Sequence, residues 1–149
     1  MAIFLQLLVG CAVSLCNIAI HAMVMDLVVQ ASRNAAATHA KGTHRFIIGV
    51  MMSAVSVLMI AHVGEVFVWS LAYLLVGAAP KEASTIYFAF VNYTTLGYGD
   101  VIPVKRWELL GPFTAMNGVL LFGWSTAVIF EVLRRAIGQS PAESLESSR

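Results

Sequence analysis

Three long apolar runs, separated by short polar breaks, organise this chain. Residues 3–25 are apolar apart from Gln6, Ser14, Asn17 and His21; residues 46–77 form a second run and residues 109–133 a third. Each reaches the roughly 20 residues that a helix needs to cross a bilayer. The second is longer than one crossing requires, so it tilts or projects from the membrane. Residues 31–45, ASRNAAATHAKGTHR, carry Arg33, Lys41 and Arg45 and no acid. Ala78-Ala79-Pro80-Lys81-Glu82 ends the second run and Arg134-Arg135 the third. Between them, residues 84–95 are a dozen mostly apolar and aromatic positions, too short to span and read as re-entrant. The pattern predicts an N-terminal transmembrane helix at 1–30 and a cytoplasmic loop at 31–45. A unit at 46–135 follows, with an outer helix at 46–77, a short helix at 84–95, an extended segment at 95–100 and an inner helix at 107–135. A short disordered tail is expected at 136–149, where small polar residues dominate. The fold class is an all-α membrane protein.

Composition agrees. The chain is 59% hydrophobic and 11% charged, with mean hydropathy +0.82, against about 25% charged residues in soluble domains. A net charge of +1 gives no basic field for nucleic acid. Cys11 and Cys16 stand five residues apart on one helix, too far for a disulfide. Leu8-Val9-Gly10-Cys11 is similar to a lipoprotein cleavage box, but no Lys or Arg precedes it, so an uncleaved helix is expected. Arg33, Lys41, Arg45, Arg134, Arg135 and Arg149 fall on one side of the expected spans, and Lys81, Lys105 and Arg106 on the other. The richer side is expected to be cytoplasmic. That places the N-terminus outside, the C-terminus inside, and the short helix dipping from outside the plasma (bacterial inner) membrane.

One stretch breaks the apolar pattern in an informative way. NYTTLGYGD, residues 92–100, sets Gly97 and Gly99 alternately with Leu96 and Tyr98 between two spanning runs. Non-helical backbone at membrane depth is tolerated only where protein buries it or a watery cavity meets it. A ribbon that aims successive carbonyls at an axis needs residues at positive φ, which glycine reaches without steric cost. Rings of carbonyl oxygens replace the hydration shell of a potassium ion. The short helix would bring the partial negative charge of its C-terminal end to the same place.

Thr94-Thr95-Leu96-Gly97-Tyr98-Gly99-Asp100 resembles the signature sequence of the potassium channel family, and the likeness extends over about residues 46–135. The resemblance implies ion sites at the carbonyls of Thr95, Leu96, Gly97 and Tyr98, with Gly99 completing the filter and the Thr95 hydroxyl adding the innermost ring. It implies support from Thr94, from Asp100 behind the outer mouth, and from Tyr87 and Phe88, which stand where the family often has tryptophans. Leu96 replaces the commoner valine, and Val91 stands where some members place a glutamate that partners the filter aspartate. In the third run, Gly118 and Gly123 resemble the glycines of the family's inner helix, Gly118 at the gating hinge, where a glycine serves either bending or close packing. By the same resemblance Val119, Phe122, Thr126 and Phe130, which share a helical face, line the cavity and inner gate. One chain supplies one carbonyl strand and a potassium filter takes four, so a homotetramer is implied.

The remaining ionisable residues are few. His62 and Glu65 lie one turn apart in the second run, with Trp69 a turn further on, and read either as a regulatory pair or as a packing contact. His21 and Asp26 are expected at the membrane interface, and Glu131 as an ion-pair partner of Arg134 and Arg135. No helix carries the regular arginines of a voltage sensor, and no nucleophile elbow, Walker loop or zinc motif appears, so neither enzyme nor cofactor is expected; K+ is the permeant ion. Gating then falls to the membrane, protons, ions or a separate regulatory subunit. Two alternatives stand beside this reading. One is a non-selective monovalent cation channel; the other is a non-conducting scaffold or a cofactor protein using His21 and His62.

Overall fold

The computed structural model describes residues 2–38 and 44–137. Within them four α-helices follow one another: α1 (Ala2–Thr38), α2 (His44–Val76), α3 (Thr85–Tyr93) and α4 (Leu110–Ile137), with a 3₁₀ turn at Lys105–Trp107. Among the described residues three stretches are long and apolar enough to cross a membrane: Ile3–Ala35, His44–Val76 and Leu110–Ile137. At about 1.5 Å per residue, the first two outrun the roughly 30 Å hydrocarbon layer.

Several boundaries differ from the sequence expectation. The first helix does not stop at 30. Residues 31–38 continue it, because a run rich in alanine favours helix whatever its polarity, and Ser32 turns its hydroxyl back onto the Val29 carbonyl at 2.7 Å. His44 and Arg45 belong to α2 rather than to a loop. The short helix begins at Thr85 after its Ser84 cap and ends at Tyr93. The inner helix starts at Leu110, since residues 105–107 close into the 3₁₀ turn and bury Trp107. From residue 138 the expected tail, like residues 39–43 of the expected cytoplasmic loop, lies outside the described residues.

The chain divides into two compact units. One takes the residues up to His21 with Ala61–Gly123; the other takes Ala22–Ile60 and the described residues from Trp124 on. The first unit is built around aromatic side chains. Trp69, Tyr73, Phe88, Tyr93 and Leu110 form its centre, with the Tyr73 ring 4.8 Å from Phe88 and 5.9 Å from Trp69 between centroids. The Tyr73 hydroxyl meets Thr114 Oγ1 at 2.5 Å. In the second unit Met25, Val28, Ala54, Leu58, Val128 and Val132 make a smaller apolar cluster.

Within the first unit, α1 is an integral wall. Its buried residues are Gln6, Gly10, Ser14, Asn17 and His21, a polar and small stripe at helical spacing. Lipid is as apolar as leucine, so in a membrane small and polar residues mark the protein-facing side. Gln6 Oε1 accepts from Leu109 N at 2.8 Å, just ahead of α4. Asn17 Nδ2 donates to the Glu65 carbonyl at 3.2 Å and to Asn117 Oδ1 at 3.1 Å. Asn117 Oδ1 also accepts from Trp69 Nε1 at 3.0 Å. One amide node therefore ties α1, α2 and α4. His21, expected at the interface, is fully buried in this wall, because Glu65 offers it a partner; Asp26 is exposed and is bonded by Gln30 at 2.5 Å. Asn17→Ala removes two interhelical bonds and is expected to lower stability by about 1 kcal/mol, read as a lower unfolding midpoint in detergent.

Candidate functional site

Helix α3 is short, and both of its ends are specified. Ser84, extended at φ −67° and ψ 117°, accepts from the Tyr87 amide, the ordinary N-cap arrangement. At the other end, Leu96 N bonds the Val91 carbonyl at 2.9 Å and Thr95 N bonds the Asn92 carbonyl at 3.0 Å. These are the two bonds of a Schellman cap, whose left-handed residue is most often glycine. Helix α2 ends in that usual way, with Gly77 at φ 65° and Ala78 N on the Tyr73 carbonyl. Helix α3 instead sets Thr95 there, at φ 58°. A β-branched residue in this region costs of order 1–3 kcal/mol, a strain that concentrates at functional sites.

The strained residue begins a series. Gly97 has φ 56° and Gly99 φ 80°, while Leu96 and Tyr98 keep negative φ. In an ordinary strand successive carbonyls alternate sides. When left- and right-handed residues alternate instead, the peptide planes turn their N–H groups to one side and their carbonyls to the other. Among the described residues nothing donates to the carbonyls of Thr95, Leu96, Gly97 or Tyr98. Residues 94–100 are all exposed, Tyr98 to 71%. The two threonine hydroxyls are engaged locally, Thr94 Oγ1 with the Phe90 carbonyl at 2.7 Å and Thr95 Oγ1 with the Thr94 carbonyl at 2.6 Å.

Asp100 finds its partner on α3. The Tyr87 hydroxyl donates to Asp100 Oδ2 at 2.7 Å, and that bond to the carboxylate raises the tyrosine above its ordinary value, so it remains a donor through neutral pH. Val91 is buried and offers nothing polar; the donor sits one turn earlier. Phe88 is fully buried against Tyr73.

Helix α4 runs through Gly118 without a break. A Cβ there would collide with the Tyr93 carbonyl oxygen and stand 3.0 Å from its carbonyl carbon. Helix α4 approaches the end of α3 closely at this glycine, which meets the close-packing reading; around Gly123 there is open space. Val119, Thr126 and Phe130 are exposed on the single chain. Phe122 is exposed with them, and its ring also packs 4.7 Å from His62 and 5.3 Å from Tyr93.

The pair His62 and Glu65 belongs to a larger cluster. His62 Nδ1 lies 3.0 Å from Glu65 Oε2, His21 Nδ1 lies 2.7 Å from Oε1, and the Tyr93 hydroxyl also donates to Oε2. Sequence reasoning missed Tyr93, the His21 contact, and Asn17 with Asn117. The available signal was the spacing of Gln6, Ser14, Asn17 and His21 on one helical face.

A family model described as ion channel matches residues 61–135, half of the chain. No curated protein and no solved structure matches it.

Gly118→Ala forces backbone apart at the α3 end and is expected to cost about 3 kcal/mol or more. Gly123→Ala meets no neighbour within the chain and is expected to be tolerated. Unfolding midpoints of the two variants, compared in detergent, check the contrast.

Proposed function

The chain belongs to the ion channel family, of potassium-channel pore-domain type, and from that premise we propose that it conducts potassium selectively as a homotetramer. The observation that carries the reading is the alternation of φ at Thr95, Gly97 and Gly99. A backbone of this kind presents a row of carbonyls on one side, the ligand set that strips and replaces water around K+. Four such rows around a common axis make closed rings of oxygen; one row alone coordinates nothing completely. The exposure of residues 94–100 in an otherwise apolar chain supports this stoichiometry, since neighbouring copies would cover the Leu96 and Tyr98 side chains while the carbonyls face the axis.

Each flanking residue then has a task. The strain at Thr95 places its carbonyl and hydroxyl at the inner end of the row. Helix α3 enters the membrane from outside and returns through residues 95–100, so that its C-terminal partial charge favours a cation below the filter. The Tyr87–Asp100 bond tethers the outer end. Val119, Thr126 and Phe130 line the inner pathway, where a ring of phenylalanines gates by dewetting. The N-terminus lies outside and the C-terminus in the cytoplasm of the plasma membrane, with Arg33, Arg45, Arg134 and Arg135 on the inner side. Transport is passive and requires no cofactor. An enzyme reading has no support: ion channels are not an enzyme family.

Purified protein in liposomes tests this. Wild type is expected to pass K+ down its gradient. Gly99→Ala places a side chain at φ 80° and is expected to lower flux roughly tenfold or more, and Tyr98→Ala is expected to lower it as well. Equal flux in all three would remove the assignment.

A further inference from the structure

Behind α3, in the first unit, three side chains from two helices converge on a single point. His21 of α1 and His62 of α2 both present Nδ1 to the Glu65 carboxylate, one to each oxygen, at 2.7 and 3.0 Å. The two imidazole rings lie 5.2 Å apart between centroids. One ligand atom from each of the three residues falls within 4.8 Å of the others. The Tyr93 hydroxyl, 3.0 Å from His62 Nδ1, stands at a fourth corner. We propose that His21, His62 and Glu65 form a buried binding site for a divalent transition metal of the zinc class, which clamps α1 to α2 directly behind the pore helix.

The chemistry selects the ion. Two imidazoles and a carboxylate suit zinc and its neighbours in the first transition row; magnesium and calcium prefer oxygen throughout. Ligand atoms in a tetrahedral zinc site sit roughly 3.3 Å apart, as Zn–N and Zn–O lengths near 2.0–2.2 Å require. Admitting the ion in place of the shared protons would open the His21–Glu65 pair from 2.7 Å by about 0.6 Å and the His62–Glu65 pair from 3.0 Å by about 0.3 Å. It would also draw in the widest separation among the three ligand atoms, which is within 4.8 Å, by up to about 1.5 Å. No ring flip is needed, because Nδ1 faces inward on both histidines already. Placement argues in the same direction. A carboxylate at membrane depth is costly unless compensated, and Glu65 is fully buried. A dication bound directly to the carboxylate compensates it more completely than hydrogen bonds alone. His62 keeps 11% of its side chain accessible, which leaves an edge by which an ion enters. Tyr93 is the last residue of α3, so the clamp bears on the residue that precedes Thr94 and Thr95.

The test uses the full chain in detergent, stripped with a chelator and then given Zn2+ alone. Wild type is expected to retain one equivalent per chain after gel filtration and to unfold at a higher temperature when loaded. His21→Gln and His62→Gln keep an amide donor for Glu65 but are expected to lose at least about a hundredfold in affinity, while His44→Ala, elsewhere on α2, retains the metal. Co2+ alone is expected to give the strong visible bands of a four-coordinate site. X-ray absorption on zinc-loaded wild type reads the ligands without any variant, and two imidazoles are expected. Absence of retained zinc in wild type would reduce the cluster to a hydrogen-bonded packing contact. Undiminished binding in both glutamine variants, or a ligand shell without imidazole, would equally overturn the proposal. None of these readouts depends on conduction.

Discussion

A bare backbone carbonyl in a hydrocarbon medium costs several kcal/mol, and this chain leaves a row of them unpaired between α3 and α4. Everything nearby is arranged to hold that row open. The Schellman cap ties down the N–H groups of Thr95 and Leu96 and leaves their carbonyls free. The alternation of φ then carries the pattern to Gly99. Thr95 is the informative residue, because glycine would take its conformation at no steric cost, as Gly77 does at the end of α2. A threonine held there against its preference points to a use for its hydroxyl or its carbonyl.

The support behind the row is polar and aromatic, and much of it comes from outside the segment that the ion channel family model covers. Helix α1 reaches Glu65 through His21 and reaches Asn117 through Asn17. Asn117 lies next to Gly118, whose missing side chain lets α4 touch the Tyr93 carbonyl. A path of direct contacts thus runs from α1 through α2 and α4 to Tyr93, the last residue of α3. Hydrogen bonds of this kind contribute modestly one by one, about 0.6 kcal/mol on average in a membrane. Their effect is to specify one packing, since in lipid no hydrophobic force selects it.

The spans and the break between α3 and α4 were legible because both rest on strong local signals. Twenty apolar residues have few readings, and TTLGYGD between two such runs has fewer. The bracing was less legible because it depends on which polar residues of different helices meet. His21 reads as interfacial from its place in α1, yet Glu65 draws it into the interior. Val91 offers Asp100 nothing, and the donor Tyr87 sits a turn away on the same helix, visible only once α3 is folded. At Gly118, read from sequence as a hinge or a close-packing point, only the folded chain shows the nearby Tyr93 carbonyl that a side chain would meet. Phe122 shares an exposed helical face with Val119 and Thr126, and its added contacts with the His62 and Tyr93 rings are ones that periodicity does not show.

The central claim is that the carbonyl row at Thr95–Leu96–Gly97–Tyr98 discriminates potassium from sodium. The measurement that reaches it most directly is the reversal potential of the purified channel in a planar bilayer with K+ on one side and Na+ on the other. The account predicts a reversal potential displaced strongly toward the potassium equilibrium value. A reversal potential near zero, with current carried equally by both ions, would contradict it.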